Sequence, residues 1–209
     1  MAFEFFYYRP SKFHSSCKLA NKKHAITMTV EQAIKDKLEI VSNFPKEGIF
    51  FRDITPILES PECSTLVYQA LAEKVEAFGG TILVGIESRG FVFASAVGSL
   101  TSLPLVLARK PGKLPRKTFS VDYELEYGTE SLELHCDSPI CKSDRIVVID
   151  DLVATGGTAV AAASLVTENF GVPRSNLLVL SVINIDECEG DETILAAGFA
   201  HQTLLHSKL

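Results

Sequence analysis

The sequence predicts an α/β fold in which a mostly parallel central sheet is covered by helices on both faces. Three observations carry this. Short apolar runs without polar alternation recur at 82–86, 146–149 and 177–185, the pattern of strands buried on both sides. Before and between them lie segments of about a dozen residues with helical periodicity, at 66–78, 91–100 and 159–170. Finally, 209 residues at 46% apolar and 22% charged can bury one sizeable core. Strands alternating with helices build right-handed βαβ units, hence a parallel sheet.

Along the chain, residues 1–27 stand apart. Phe3, Phe5, Phe6, Tyr7, Tyr8 and Phe13 crowd beside Arg9, Lys12, Lys18, Lys22 and Lys23, with Glu4 the only acid. This basic, aromatic extension reads as a targeting segment, a disordered arm or sequence upstream of a start at Met28, and the domain proper as residues 28–209. From Thr29 and Glu31, the spacing of Val30, Ala33, Ile34, Leu38 and Val41 predicts a helix that runs to Asn43-Phe44-Pro45. A second helix, 66–78, ends at Gly79-Gly80 and feeds a strand at 82–86. A helix at 91–100 and a strand at 103–108 follow. The polar stretch 109–127 reads as a loop, and a long polar connection in a compact domain is usually a flexible lid or binding loop. Strand 146–149, helix 159–170 and strand 177–185 complete the pattern.

Composition excludes several classes. A net charge of -6 and a pI near 5.4 speak against a nucleic-acid binder. Cys17, Cys63, Cys136, Cys141 and Cys188 are scattered without a CxxC pair, so neither a disulfide framework nor a zinc site is readable, and a reducing, cytoplasmic setting fits. No run approaches the roughly 18 apolar residues that cross a bilayer, so no membrane is expected.

The most informative segment joins the strand at 146–149 to Asp150, Asp151, Leu152, Val153, Ala154, Thr155, Gly156, Gly157 and Thr158, where a helix begins. In an open α/β sheet ligands bind beyond the carboxyl ends of the strands. Gly156 and Gly157 let successive N–H groups turn inward around an anion at the helix start, and Thr155 and Thr158 add hydroxyls. Two carboxylates would repel a phosphate, so their partners are sugar hydroxyls, a cation or basic residues. A phosphate with a diol beside it describes a ribose 5-phosphate. An ordinary turn with one capping Asp explains neither the second acid nor the glycine pair. The absence of Gly-Lys-Thr or Gly-Lys-Ser excludes a P-loop.

Asp150 through Thr158 resembles the phosphoribosyl diphosphate signature of type I phosphoribosyltransferases. Phe50-Phe51-Arg52-Asp53-Ile54-Thr55-Pro56, Arg109-Lys110-Pro111-Gly112-Lys113-Leu114-Pro115 and Tyr123-Glu124-Leu125-Glu126-Tyr127-Gly128 narrow the resemblance, over residues 30–185, to the adenine-specific family. Orotate and hypoxanthine enzymes share the Asp-Asp and Thr-Gly-Gly core without the Lys-Pro-Gly-Lys-Leu-Pro loop. The resemblance implies a small hood over the sheet, transfer of phosphoribosyl from its diphosphate to adenine, Mg²⁺ carried mainly by the substrate with Asp150 and Asp151 as its nearest carboxylates, and a homodimer. It also implies roles. Asp150, Asp151, Ala154, Thr155, Gly156, Gly157 and Thr158 hold the ribose phosphate. Ser88, in place of the family's commoner alanine, and Arg89, Arg109, Lys110 and Lys113 meet the diphosphate. Phe50, Phe51, Arg52 and Ile185 surround adenine, Tyr127 closes the lid, and Glu126 serves acid-base chemistry, with Glu124 as the neighbouring alternative. Asn184 and Asp191 depart from the family's glutamate and basic residue on the expected base-side wall. Transfer to another base and a non-catalytic regulator on the same fold are the competing readings. A chain beginning at Met28 is expected to fold and, assayed for transferase activity, to match the full-length protein.

Overall fold

A computed structural model describes residues 28–125 and 128–208, with the backbone alone at 124–125; the extension 1–27 lies outside the described residues. Helix α1 (Val30–Lys37) starts at Thr29, whose hydroxyl accepts from the Gln32 amide at 3.2 Å. The helix stops at Leu38, four residues short of the expected end, because Glu39–Ser42 forms strand β1 and pairs antiparallel with β2 (Phe50–Asp53). In that ladder Ile40 stands opposite Arg52 and Val41 opposite Phe51, and cross-strand pairing of β-branched residues outcompetes one more helical turn. The two strands form the small hood.

Helices α2 (Thr55–Glu59) and α3 (Pro61–Phe78) lead into the core. Gly79, at φ +73, takes the left-handed conformation that ends α3. Strand β3 (Ile82–Ile86), helix α4 (Gly90–Thr101) and strand β4 (Leu105–Ala108) fall where the apolar pattern puts them. The segment expected as a loop does not stay one: β5 (Thr118–Leu125) and β6 (Gly128–His135) form an antiparallel hairpin. Phe119, Val121 and Tyr123 alternate with Ser120 and Asp122, a period of two that turns the apolar set inward. Phe119 meets Phe170 edge to face with centroids 5.6 Å apart, and Leu132 and Leu134 are buried. The expected lid is thus partly a hairpin packed on the core, and among its described residues those from Lys110 to Lys117 run as a loop after the Arg109 bridge.

Strand β7 (Ile146–Val153) runs four residues past the expected end and carries Asp150 and Asp151 on its carboxyl end. Helix α5 (Gly157–Phe170) and β8 (Leu177–Ile185) follow. Helix α6 (Gly190–Ala196) and strand β9 (Ala200–Ser207) complete the chain. Five parallel strands lie in the order β4-β3-β7-β8-β9. Their side chains form two apolar clusters, one under α5 and the hairpin, the other under α1, α3 and α4. This order brings the carboxyl ends of β3, β7 and β8 to one rim, beneath β2. In the free protein, hydrogen exchange should be slow along residues 118–123 and 130–135 and faster along 111–117; uniformly fast exchange across 109–127 would restore the open-loop picture.

Candidate active site

The rim is built by close backbone approach. After β3, residues Glu87, Ser88 and Arg89 turn into α4, and the Glu87–Ser88 peptide is cis. A Cβ on Gly90 would lie 2.7 Å from the Ile149 carbonyl oxygen and 2.9 Å from Asp150 Oδ1, so α4 can begin against β7 only without a side chain. Asp151 is 3% exposed. Its amide donates to Asp150 Oδ1 at 2.9 Å, and Arg89 Nε stands 3.1 Å from its Oδ2 without hydrogen-bond alignment. Burial and then the neighbouring carboxylate push Asp150 well above its ordinary value. Burial also raises Asp151, against the pull of Arg89. These groups form the floor of a polar cleft of about 360 Å³, whose walls include Ser88, Arg89, Lys110, Tyr123 and Glu130.

Beside it lies a hollow of about 140 Å³ lined by residues 152–159. Gly156, at φ +83, turns the loop into α5, which begins at Gly157, two residues before the expected start. The hollow sits at the N-terminus of a 14-residue helix, where unpaired amides and the helix dipole favour an anion. Ala154, Thr155, Gly156, Gly157 and Thr158 all line it, together with Asp150.

The expected diphosphate cations divide. Arg89 and Lys110 reach the cleft. Arg109 instead grips Glu87, with Nε donating to Oε2 at 3.1 Å and Nη2 to Oε1 at 3.3 Å, while Nη1 donates to the Lys113 carbonyl at 3.0 Å. Lys113 is exposed and off the cleft wall. Burial would raise the Glu87 carboxyl, but the Arg109 hydrogen bond and the Lys110 amide outweigh it and hold the group below its ordinary value. Lys110 Nζ donates to Glu130 Oε1 at 3.2 Å, and the Tyr123 hydroxyl donates to Glu130 Oε2 at 3.1 Å. The sequence reading gives Glu130 no place, and gives Glu87, in the diphosphate turn, and Tyr123, in the segment before Glu126, no role of their own. The alternation that makes β5 a strand also aims Tyr123 inward, and was the available signal. Glu126 and Tyr127 lie outside the described residues, between the paired ends Leu125 and Gly128.

The third space is an apolar pocket of about 420 Å³ under the hood, lined by Phe50, Phe51, Arg52 and Ile185, as expected, and by Leu152 and Cys188, which were not. The Arg89 guanidinium lies 5.5 Å from the Phe51 ring centroid. Arg52 is buried; its Nη1 donates to the Phe50 carbonyl at 2.9 Å and its Nη2 stands 3.4 Å from Glu187 Oε1. Asn184 and Asp191 do not line this pocket. Asn184 is buried and donates to Asp186 at 2.9 Å, and Asp191 meets His201. Leu152 and Arg89 border both cleft and pocket, and Ala154 borders hollow and pocket, so the three spaces adjoin.

The family described as the phosphoribosyl transferase domain matches residues 53–179. The adenine phosphoribosyltransferase of Actinobacillus succinogenes is 44% identical over 172 residues, covering 82% of this chain and 93% of that protein. That of Erwinia tasmaniensis is 40% identical over 182 residues, 86% and 97%. The chain belongs to the adenine phosphoribosyltransferase family. Among solved structures, the Giardia lamblia enzyme complexed with 9-deazaadenine aligns with a TM-score of 0.80 at 28% identity, covering 87% of this chain and 99% of that one. The Saccharomyces cerevisiae adenine phosphoribosyltransferase, complexed with adenine and an imino-altritol bisphosphate, aligns at 0.75 and 32%, covering 84% and 98%. The phosphoribosyltransferase fold of this chain is therefore the parallel sheet with its antiparallel hood described above.

The raised Asp150 has a consequence for stability. Between the ordinary carboxylate range and its folded value, the folded chain holds a proton that the unfolded chain has released, so stability falls as pH rises through that window. Asp150→Asn should therefore melt above the parent at pH 7 while binding phosphoribosyl diphosphate more weakly, and the difference in melting should close below about pH 4, where the unfolded carboxyl is also protonated. A variant that melts lower at pH 7 would show that the carboxylate is a net stabiliser.

Proposed function

We propose that the protein is an adenine phosphoribosyltransferase: the bond from C1 of 5-phosphoribosyl 1-diphosphate to its diphosphate oxygen breaks, C1 bonds adenine N9 with inversion, the N9 proton leaves, and AMP and diphosphate result. One observation carries this reading. A hollow at a helix N-terminus, a polar cleft floored by two carboxylates and an apolar pocket under the hood adjoin in the order phosphate, ribose and diphosphate, base.

The residues divide the work by chemistry. The loop 154–158 takes the 5-phosphate through amides and the Thr155 and Thr158 hydroxyls. Asp150 and Asp151 accept from the ribose hydroxyls, and the negative charge that the pair carries favours the positive charge that develops on the sugar as the diphosphate departs. Ser88, Arg89 and Lys110 meet the charge gathering on the leaving group, with Arg109 and Lys113 acting from behind Glu87. Adenine stacks between Phe51 and Ile185, where backbone groups at Phe50 and Arg52 recognise its 6-amino edge and the apolar walls exclude water. Glu126 is the candidate beside N7, donating when protonated, and Tyr127 covers the site. Mg²⁺ fits as a substrate-borne ion, since Asp150 and Asp151 offer hard oxygens to the cleft while no group of three or more metal-ligating side chains among the described residues could hold it alone, and when bound it adds positive charge to the diphosphate. Exposed Val92 and Leu100 on α4, the helix that begins at the diphosphate loop, support a homodimer through that face. The free thiols of Cys63, Cys136 and Cys141 suit a cytoplasmic setting.

The test is product analysis. With phosphoribosyl diphosphate and Mg²⁺, adenine should yield AMP, and guanine, hypoxanthine and orotate should yield little; transfer to no base would favour the regulator. Glu126→Leu should lower turnover by about 10²–10⁴-fold with little change in phosphoribosyl diphosphate affinity. Glu126→Gln should retain more activity because an amide still donates. A larger loss in Glu124→Gln would move the role there.

A further inference from the structure

Ser181, His201 and Asp191 form a hydrogen-bonded chain that none of the chemistry above uses. Ser181 lies on β8 with no exposure, His201 on β9 with its side chain 1% exposed, and Asp191 in the first turn of α6 with its side chain 33% exposed. Asp191 Oδ1 is 2.7 Å from His201 Nδ1, and His201 Nε2 is 3.1 Å from Ser181 Oγ. Burial holds the imidazole below its ordinary value despite the carboxylate, so the ring is neutral at pH 7. A neutral ring beside a carboxylate keeps its proton on Nδ1 and donates it to Asp191, leaving Nε2 to accept from the Ser181 hydroxyl. The residue types are those of a nucleophilic triad, but Ser181 sits inside the sheet between β7 and β9, where no substrate reaches.

What the chain holds is α6. Seven residues are too few to be stable as a helix alone, yet this helix forms the outer wall of the phosphate loop. A Cβ on Gly190, its first residue, would overlap the Ala154 carbonyl oxygen and lie 2.6 Å from Val153 Cγ1. A Cβ on Gly156 would lie 2.7 Å from the Gly190 carbonyl oxygen and 3.2 Å from Thr193 Cβ. Loop and helix touch backbone to backbone, so any shift of α6 is transmitted to residues 154–156 without side chains to absorb it.

We propose that Asp191, His201 and Ser181 are positioning residues: they fix α6, and α6 fixes the amides that take the 5-phosphate. This rests on the reading of residues 154–158 as the 5-phosphate site. Asp191→Ala removes the acceptor at a partly open position, and Asp191→Asn keeps an oxygen for Nδ1–H. Asp191→Ala should raise the KM for phosphoribosyl diphosphate and the Kd for ribose 5-phosphate about tenfold, with the KM for adenine and saturated turnover within about twofold of the parent. Asp191→Asn should recover most of the loss. Calorimetry of ribose 5-phosphate on Gly157→Val separates the two ideas. If that variant binds as the parent does, the phosphate reading falls and this proposal with it. If it loses binding while Asp191→Ala does not, the positioning role alone is overturned, as it is by a lower melting temperature with unchanged Kd. Should Asp191→Ala fail to fold, Ser181→Ala carries the same test, and an unchanged Kd there overturns the proposal.

Discussion

Burying Asp151 beside Asp150 at the end of the central strand places two carboxyl groups where water is scarce, which favours a proton on Asp150, and a single guanidinium, that of Arg89, answers the pair without a well-aligned hydrogen bond. Burying charge is unfavourable unless it is fully paired. The arrangement persists because the rest of the sheet over-determines it: β3 pairs with Ile146–Ile149, β8 runs beside β7 from Ile146 to Val153, and α4 begins directly against Ile149 and Asp150 at Gly90. The site keeps an electrostatic deficit in the resting protein that sugar hydroxyls and a substrate-borne cation are suited to fill. The positions of the diphosphate turn, the phosphate loop and the base pocket all follow from where β7 ends.

Arg89 links two of those parts. Its guanidinium touches Asp151 on one side and lies over Phe51 on the other, so cleft floor and hood share one side chain. Arg52 makes a similar bridge from β2 to the turn after β8 through Glu187, while holding the Phe50 carbonyl. The hood is a two-stranded ribbon, which has little stability alone; the Phe44–Phe51 ring contact at 5.1 Å packs it internally, and these arginines tie it to the sheet.

Legibility in the sequence followed locality. Asp150 to Thr158 is contiguous, and its chemistry could be read from the order of residue types alone. The buried strands were equally plain because both faces are apolar. The hairpin was obscured because Lys, Arg and Pro between 109 and 117 gave the whole stretch a loop-like polarity, although Phe119, Val121 and Tyr123 kept a clean period of two. Strand β9 lies at a sheet edge and buries mainly Leu204 and Leu205 among polar neighbours, too short a signal to stand out. Asn184 was expected on the base wall beside Ile185, but adjacent strand residues face opposite sides, so when Ile185 turns to the pocket Asn184 turns away. Arg109 and Lys110 divide because Arg109 is held in a bridge to Glu133 and to Glu87, while Lys110 begins the loop. Which lysine reaches the cleft depends on the course of that loop, which composition does not carry.

The paired cations have a further consequence for what the resting site admits. Arg89 faces Asp151, Arg109 faces Glu87, and Lys110 faces Glu130, which is itself held by Tyr123. On the reading of the cleft as the diphosphate site, an incoming anion competes at Arg89 and Lys110 with carboxylates already in place. On that reading a chloride or a lone inorganic phosphate meets one such pair at a time, whereas a diphosphate attached to a sugar seated in the neighbouring hollow would compete at several from a fixed distance. If the three spaces bind as proposed, keeping these positive groups occupied favours a ligand that spans all the compartments over the common small anions of its surroundings.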